Sequence, residues 1–290
     1  MVEDPFRSSL LDYFDELKDR VVTKDGDWTV KGFIDIYRRI YTISVDSKVL
    51  SKVLELLMFP VLQQFAQRNG FRVILAQAQN QYPDLTLVST SNENLCFAVD
   101  IKTTYRTKVD QDGLMRVNGM TLGTFGGYFR NRDRPVNSVM AYARYAKHYV
   151  LGVVYSRAEN IDERQVYEIE HLTDIPSVAS DFQFFLHEKY RIASDGPGSG
   201  NTKNIGSTKY LDRLLNGTGV FAKLGEAVFN DYWMNYRTRS MAKDDGFEAP
   251  LYTNLRTYHE FKKRGSQILE IPVEDVETEV DDESSAVDEG

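Results

Sequence analysis

The 290-residue sequence predicts an α/β or α+β fold, a central mixed β-sheet flanked by helices. Short apolar runs typical of strands alternate with longer segments in which apolar residues recur every three or four positions. Hydrophobic residues make up 42% of the chain, enough to build a sizeable core. Since neither an internal repeat nor a strong linker precedes residue 265, we predict one domain over residues 1–265 and a tail over residues 266–290.

The first third of this domain combines helices with the first strands. Charged and aromatic residues alternate over residues 1–45, which predicts a helix followed by turn and strand segments. Residues 47–67 carry apolar side chains at three-and-four spacing and predict an amphipathic helix. Pro60 lacks a backbone donor, so we expect a bend or break there, and Asn69-Gly70 predicts the end of the helix.

The remaining elements follow from β-branched and aromatic runs and from glycine-rich breaks. Strands are predicted at residues 71–75, 85–89, 95–104, 149–155, 166–169 and 182–186. A polar, glycine-rich stretch at 110–137 leads into a predicted helix at 138–147. After a glycine-rich loop at 194–207, helices are predicted at 208–239 and 252–264.

The net charge of −8 is concentrated at the carboxyl end. Residues 266–290 hold ten acidic residues and no lysine or arginine, so removing them from −8 leaves +2 for residues 1–265. High charge without aromatic residues predicts a disordered tail, whose simplest role is to keep the protein in solution.

Several protein classes are excluded by composition. No apolar run is long enough to span a bilayer, and the first residues do not form a signal peptide. The single cysteine, Cys96, excludes an internal disulfide and indicates a reducing compartment, with the cytoplasm as the expected location. The sequence lacks a nucleotide-binding glycine motif, a Gly-x-Ser-x-Gly elbow and clustered zinc ligands.

Two aspartates and a lysine carry the predicted chemistry. Pro83-Asp84 is followed sixteen residues later by Asp100-Ile101-Lys102. In a strand Asp100 and Lys102 share one face, and a short turn between neighbouring strands brings Asp84 beside Asp100. Carboxylates that hold Mg²⁺ can neutralise a phosphodiester and activate water, while an ammonium orients that water. An ion pair on a solvated strand is the competing interpretation, because Asp-x-Lys often arises by chance.

This pattern resembles the motif of the PD-(D/E)xK nucleases, and its surroundings resemble the EcoRV family of type II restriction endonucleases. The resembling stretches are residues 46–51 with Glu55, 79–87, 98–105, 121–123 with 130–131, 198–202, 204–207, and 231–233 with 235–236. They occur in this order between residues 46 and 264. The resemblance implies the restriction-endonuclease-like fold and hydrolysis of double-stranded DNA in a prokaryotic cytoplasm.

The resemblance also implies a metal site. Asp84 and Asp100, with the backbone of Ile101, would bind Mg²⁺, with Mn²⁺ as a substitute, and Lys102 would act on the attacking water. Glu55 matches an acidic residue linked to an additional metal position, although a solvated helix carboxylate is a serious competing interpretation. No other cofactor is implied.

The resemblance further implies two loops that read DNA. The major-groove recognition loop would comprise Gly198, Ser199, Gly200, Asn201, Thr202, Lys203 and Asn204. In this loop Asn201 can pair with adenine and Thr202 can contact a thymine methyl group, although such a composition more often marks a plain surface loop. The retained residues imply the target GATATC, cut at its centre to leave blunt ends with 5′-phosphates. Lys203 replaces the family's threonine, and we expect it to add a phosphate contact.

Further DNA contacts are predicted outside this loop. The second loop, with Gln79 and Asn80, resembles one that touches the minor groove, and Ala78 replaces the family's glutamine before it. Candidate phosphate contacts are Ser51, Thr103, Thr104 and Arg130. The basic segment 237–264 fits either a phosphate clamp or a solvated helix face. Mimicry of DNA by the acidic tail is a minority interpretation.

A palindromic target requires twofold symmetry and so predicts a homodimer, with an interface from residues 1–45 and the strand near 149–155. A restriction system also implies a cognate DNA methyltransferase. Two alternatives remain: a loosely specific repair or recombination nuclease of the same fold, and a DNA-binding protein that has lost catalysis. The loop at 198–204 argues against the first, and the complete set of Asp84, Asp100 and Lys102 argues against the second.

Overall fold

A computed structural model describes residues 4–78, 80–159, 165–198, 203–264 and 277–279. The helices are α1 (Pro5–Leu11), α2 (Phe14–Val21), α3 (Ser47–Arg68), α4 (Lys189–Ile192), α5 (Leu211–Asn216), α6 (Gly225–Asn235), α7 (Arg239–Asp244) and α8 (Leu255–Arg264). The strands are β1 (Gly32–Ile34), β2 (Arg39–Thr42), β3 (Phe71–Leu75), β4 (Leu85–Ser89), β5 (Cys96–Val109), β6 (Met115–Val117), β7 (Thr121–Thr124), β8 (Lys147–Arg157), β9 (Val166–Glu168), β10 (Ala179–Glu188), β11 (Ala193–Pro197) and β12 (Asn204–Ser207).

The central sheet is mixed, as the sequence predicted. Its strands lie in the order β10-β8-β5-β4-β3, with β6 paired to the far part of β5. The β5–β8 pair is parallel, and the other pairs are antiparallel. The predicted fold class is therefore confirmed.

Helix α3 covers one face of the sheet and contributes to a core shared with α1 and α2. It continues through Pro60, where a bend or break was expected. Pro60 has no N–H to bond the carbonyl of Leu56. Both residues lie on the exposed side of α3, where water can bond that carbonyl instead. By length and composition α3 is long and apolar enough to cross a membrane. This is weak evidence for a membrane protein, because its buried side chains belong to the core.

The opposite face of the sheet is covered by the carboxyl-terminal helices and by a small sheet of order β11-β12-β7. Its core is rich in aromatic residues, and α6 supplies Phe229, Tyr232 and Trp233 to it. The strands β11 and β12 border the segment predicted as the recognition loop. That loop therefore begins and ends on strands rather than in an irregular stretch.

Two predicted helices are wrong. Residues 138–147 form only a short 3₁₀ turn at Tyr142–Arg144 before β8, because Tyr142 stacks on His148 with 3.7 Å between the ring centroids. Residues 208–239 are divided among α5, α6 and α7. Gly217 and Gly225 adopt φ values of 63° and 86°, a backbone conformation that ends or interrupts a helix.

The strand near 149–155 does not fit a dimer interface. It is part of β8, which pairs with β5 on one side and β10 on the other, and its residues from 148 to 155 are buried. Within the described residues, β9 instead joins β1 and β2 in a separate three-stranded sheet. This sheet exposes large apolar side chains, including those of Phe33, Ile34 and Tyr41.

Candidate functional site

The predicted catalytic residues meet on the paired strands β4 and β5. Leu85 pairs with Val99 in antiparallel register, so Asp84, one residue before β4, lies opposite Asp100. The Oδ2 atom of Asp84 accepts a hydrogen bond of 2.7 Å from the backbone N–H of Ile101. Lys102, two residues after Asp100 on the same strand, places its Nζ atom 2.7 Å from Asp100 Oδ2. The structure thus brings together the two carboxylates and the ammonium.

Burial gives these three groups different protonation properties. Burial and the neighbouring charge of Asp100 raise the pKa of Asp84 to about 7. Burial also opposes ionisation of Asp100, but Lys102 and Lys189 outweigh it and hold the pKa of Asp100 below its usual value. Burial by itself lowers the pKa of Lys102. The charges of the two aspartates outweigh burial, so the pKa of Lys102 lies above its usual value. Lys102 therefore stays an ammonium near neutral pH.

A buried lysine that sequence reasoning missed lies near this site. The side chain of Lys189 is 2% exposed, and within the described residues its Nζ atom has no hydrogen-bond partner. It faces the rings of Tyr82, Tyr142 and Tyr128 at 4.0, 5.1 and 5.5 Å from their centroids. Its positive charge stabilises the ionised form of Asp100. A lysine directly after a predicted strand gives no local signal of burial.

Asp84 and Lys102 line a pocket of ≈ 250 Å³ together with Glu55, and Asp100 is buried beside them. Glu55 pairs with Lys52 at 2.7 Å on the exposed side of α3. The described part of the chain holds no cluster of three or more acidic, histidine or cysteine side chains placed to bind one metal ion. The donors at hand are two carboxylates, and a hard cation that keeps several waters and binds substrate phosphate fits such a small oxygen set.

Comparison with known proteins identifies the family. The chain matches the family model described as restriction endonuclease EcoRV over residues 24–263. It is also 34% identical over 253 residues to the type II restriction enzyme EcoRV of Escherichia coli, covering 86% of this chain and 97% of that enzyme. The chain belongs to the EcoRV family of type II restriction endonucleases. As a member, it is a site-specific DNA endonuclease, and Asp84, Asp100 and Lys102 lie inside the matched region.

The four residues predicted to contact phosphate, Ser51, Thr103, Thr104 and Arg130, differ in their access to the pocket of this endonuclease. Ser51 and Thr103 line the pocket, and their hydroxyl groups hydrogen-bond to each other. Thr104 is buried, and its hydroxyl donates to the carbonyl of Asn118. The guanidinium of Arg130 donates to the backbone carbonyl of Tyr236, so both Thr104 and Arg130 are engaged within the protein rather than at the pocket.

The two loops predicted to read DNA are described only in part. Gln79 and residues 199–202, which include Ser199, Gly200, Asn201 and Thr202, lie outside the described residues. At the base of the recognition loop, the N–H of Gly198 donates to the carbonyl of Asn204 at 2.9 Å. Lys203 is exposed, and so is Asn80 in the other loop.

Proposed function

We propose that this endonuclease cleaves both strands of GATATC at its centre in a Mg²⁺-dependent reaction, leaving blunt ends with 5′-phosphates. The observation that carries the proposal is the convergence of Asp84, Asp100 and Lys102, of which Asp84 and Lys102 line one pocket. The target sequence itself rests on the recognition-loop residues retained at 198–202. Mn²⁺ is expected to replace Mg²⁺, because it also prefers oxygen ligands.

In this proposal Asp84, Asp100 and the backbone of Ile101 hold the cation, which supplies charge neutralisation and an activated water when bound. Lys102 contributes as a donor. Its pKa is raised by the two aspartates, so the ammonium orients the attacking water or stabilises negative charge rather than removing a proton. Glu55 lines the same pocket and is the proposed residue for an additional metal position.

The path proposed for the DNA backbone is a groove of ≈ 1170 Å³ that Asp84 and Lys102 also line. Lys48, Lys52 and Thr103 line it, and Ala78 extends it to the start of the minor-groove loop. Lysine charges near this groove suit a polyanion, although the whole chain is acidic. Ser51 and Thr103 are the proposed phosphate contacts that reach it, whereas Thr104 and Arg130 need to leave internal partners first.

We further propose that the enzyme acts as a homodimer, because a palindrome presents the same bases to two symmetric subunits. The exposed apolar residues of the sheet formed by β1, β2 and β9 support an interface there. They are Phe33, Ile34, Ile36, Tyr37, Tyr41 and Val166. Several large exposed apolar side chains on one small sheet favour a protein–protein interface. The proposal also includes a cytoplasmic location and a DNA methyltransferase that protects the same sequence.

The test is digestion of plasmid DNA with the purified protein and Mg²⁺, followed by sequencing of the ends. Blunt ends within GATATC are expected, and no cleavage is expected in the presence of a chelator. The matched control is Lys102→Met, which keeps side-chain length and removes the ammonium. Cleavage at many unrelated sequences would support a loosely specific nuclease of the same fold, and absence of cleavage with specific binding would support a DNA-binding protein.

A further inference from the structure

Three residues of the acidic tail lie against the body of the protein. The hydroxyl of Thr278 donates to the carboxylate of Asp195, and the N–H of Glu279 donates to Asp195 Oδ1 at 3.0 Å. Arg213 pairs with Glu277 at 3.1 Å and with Glu279 at 3.6 Å. We name residues 277–279 the tail strap. They are the described residues of the segment 266–290 that the composition predicts to be disordered.

Asp195 joins the strand that leads into the proposed recognition loop to a helix of the basic segment 237–264, which the sequence predicts as either a phosphate clamp or a solvated helix face. It lies in β11, three residues before Gly198, where the recognition loop begins. Its Oδ2 atom accepts a hydrogen bond of 3.0 Å from the N–H of Leu255, the first residue of the basic helix α8. Its backbone carbonyl accepts one of 2.6 Å from the hydroxyl of Tyr232. One carboxylate thus connects the strand that bears the recognition loop, α8 and the tail strap.

The side chain of Asp195 depends on these donors. The residue is 0% exposed, and a buried carboxylate is costly unless hydrogen bonds replace its water. The tail strap supplies two of the donors, and α8 supplies another. Without the tail strap, this carboxylate would be drawn toward water, and β11 and α8 would lose the link that fixes their spacing.

We propose that the tail strap is a specificity-determining element, because it fixes Asp195 and thereby holds the recognition-loop strand and α8 at one spacing. This inference rests on the proposed role of the 198–204 loop in reading bases. Base discrimination requires the contacting groups to be held within about 0.5 Å of their productive positions. A link at the base of the loop therefore affects discrimination between sequences more than the cleavage chemistry.

The direction of the hydrogen bonds distinguishes this role from mimicry of DNA. A polyanion that imitates DNA places acceptors on basic groups. Here a hydroxyl and a backbone N–H of the tail strap donate to an acidic side chain, a contact that a phosphate backbone cannot reproduce. The ion pairs of Arg213 with Glu277 and Glu279 also dock the tail strap, but they place acceptors on a basic group, so the two hydrogen bonds to Asp195 are the contacts that separate the two roles.

The test compares Thr278→Val with Thr278→Ser in the full-length protein. Valine keeps the shape and removes the donor, while serine keeps the donor. The first measurement is hydrogen exchange of peptides that cover β11 and Gly198, without DNA. Since hydrogen bonds to charged groups are comparatively strong, we expect exchange in Thr278→Val to be about tenfold faster, with the wild-type rate in Thr278→Ser.

The second measurement is the ratio of cleavage rates on the preferred sequence and on a sequence that differs by one base pair, with the preferred sequence first identified from the cleaved ends. We expect Thr278→Val to lower this ratio about fivefold while the rate on the preferred sequence changes little, and Thr278→Ser to restore it. Unchanged exchange and an unchanged ratio in Thr278→Val would overturn the proposal. So would unchanged exchange with tighter, strongly salt-dependent binding of unrelated DNA, which is the result expected of an electrostatic competitor. If exchange is faster in Thr278→Val but the cleaved DNA ends do not come from GATATC, the proposed role of the tail strap stands and the proposed target is rejected.

Discussion

The substitution Lys189→Met removes a buried charge near the two carboxylates of the candidate site. Lys189 is 2% exposed, and burial, with a further contribution from Lys102, lowers its pKa from 10.5 to about 7. Each pKa unit corresponds to about 1.36 kcal/mol, so keeping this ammonium buried costs the fold about 5 kcal/mol at low pH. Methionine has similar length and no charge, so we expect the variant to be about 4 kcal/mol more stable at pH 7.

The sign of the pH dependence follows from the lowered pKa of Lys189. Between pH 7 and pH 10.5 the unfolded chain binds this proton and the folded protein does not, so wild-type stability rises with pH across that window. The variant lacks this group. The difference in unfolding free energy between variant and wild type should therefore narrow by about 2 kcal/mol from pH 7 to pH 9.

Urea unfolding at pH 7 and pH 9, at one fixed protein concentration, measures this difference. The control is Lys24→Met, at an exposed lysine, which should change stability little at either pH. A difference that stays constant with pH, or a Lys189→Met protein less stable than wild type at pH 7, would contradict the assignment of a strained buried charge. We also expect Lys189→Met to cleave DNA more slowly, since Lys189 helps to keep Asp100 ionised.

Three further predictions concern the active site and the recognition loop. Asp100→Asn should abolish cleavage and preserve the fold, because it removes a proposed metal ligand; plasmid nicking and circular dichroism test this, and wild-type activity would reject the site. With limiting Mg²⁺, the cleavage rate should rise about tenfold per pH unit up to pH ~7 and then level off. The reason is that the pKa of Asp84 is raised to about 7, and this carboxyl must lose its proton to bind metal. A flat rate profile between about pH 5.5 and 8 would contradict this prediction. Asn201→Ala should lose about 1–3 kcal/mol of discrimination per half-site in competitive cleavage assays, and unchanged preference would reject its role in reading adenine.

The strands were the most predictable part of the fold. The bounds predicted for β3 and β4 agree with the structure, because alternating apolar and β-branched residues are a local signal that burial in the sheet preserves. The predicted helix at 138–147 is wrong because Tyr142 and Tyr145 pack against Tyr82 from a distant segment and against His148 in β8. Tertiary aromatic contacts overrode a helical pattern.

The same distinction applies to the site. Asp84, Asp100 and Lys102 were found from the sequence because strand alternation and one short turn fix their relative positions. Lys189 and Asp195 left no such trace, because their environments are assembled by segments far apart in the chain: Tyr82 and Tyr142 around the first, the tail strap and α8 around the second. A lysine or aspartate at a strand end normally indicates a solvated surface. Only the three-dimensional arrangement shows that one is a buried charge near the proposed metal ligands and the other a junction beneath the proposed recognition loop.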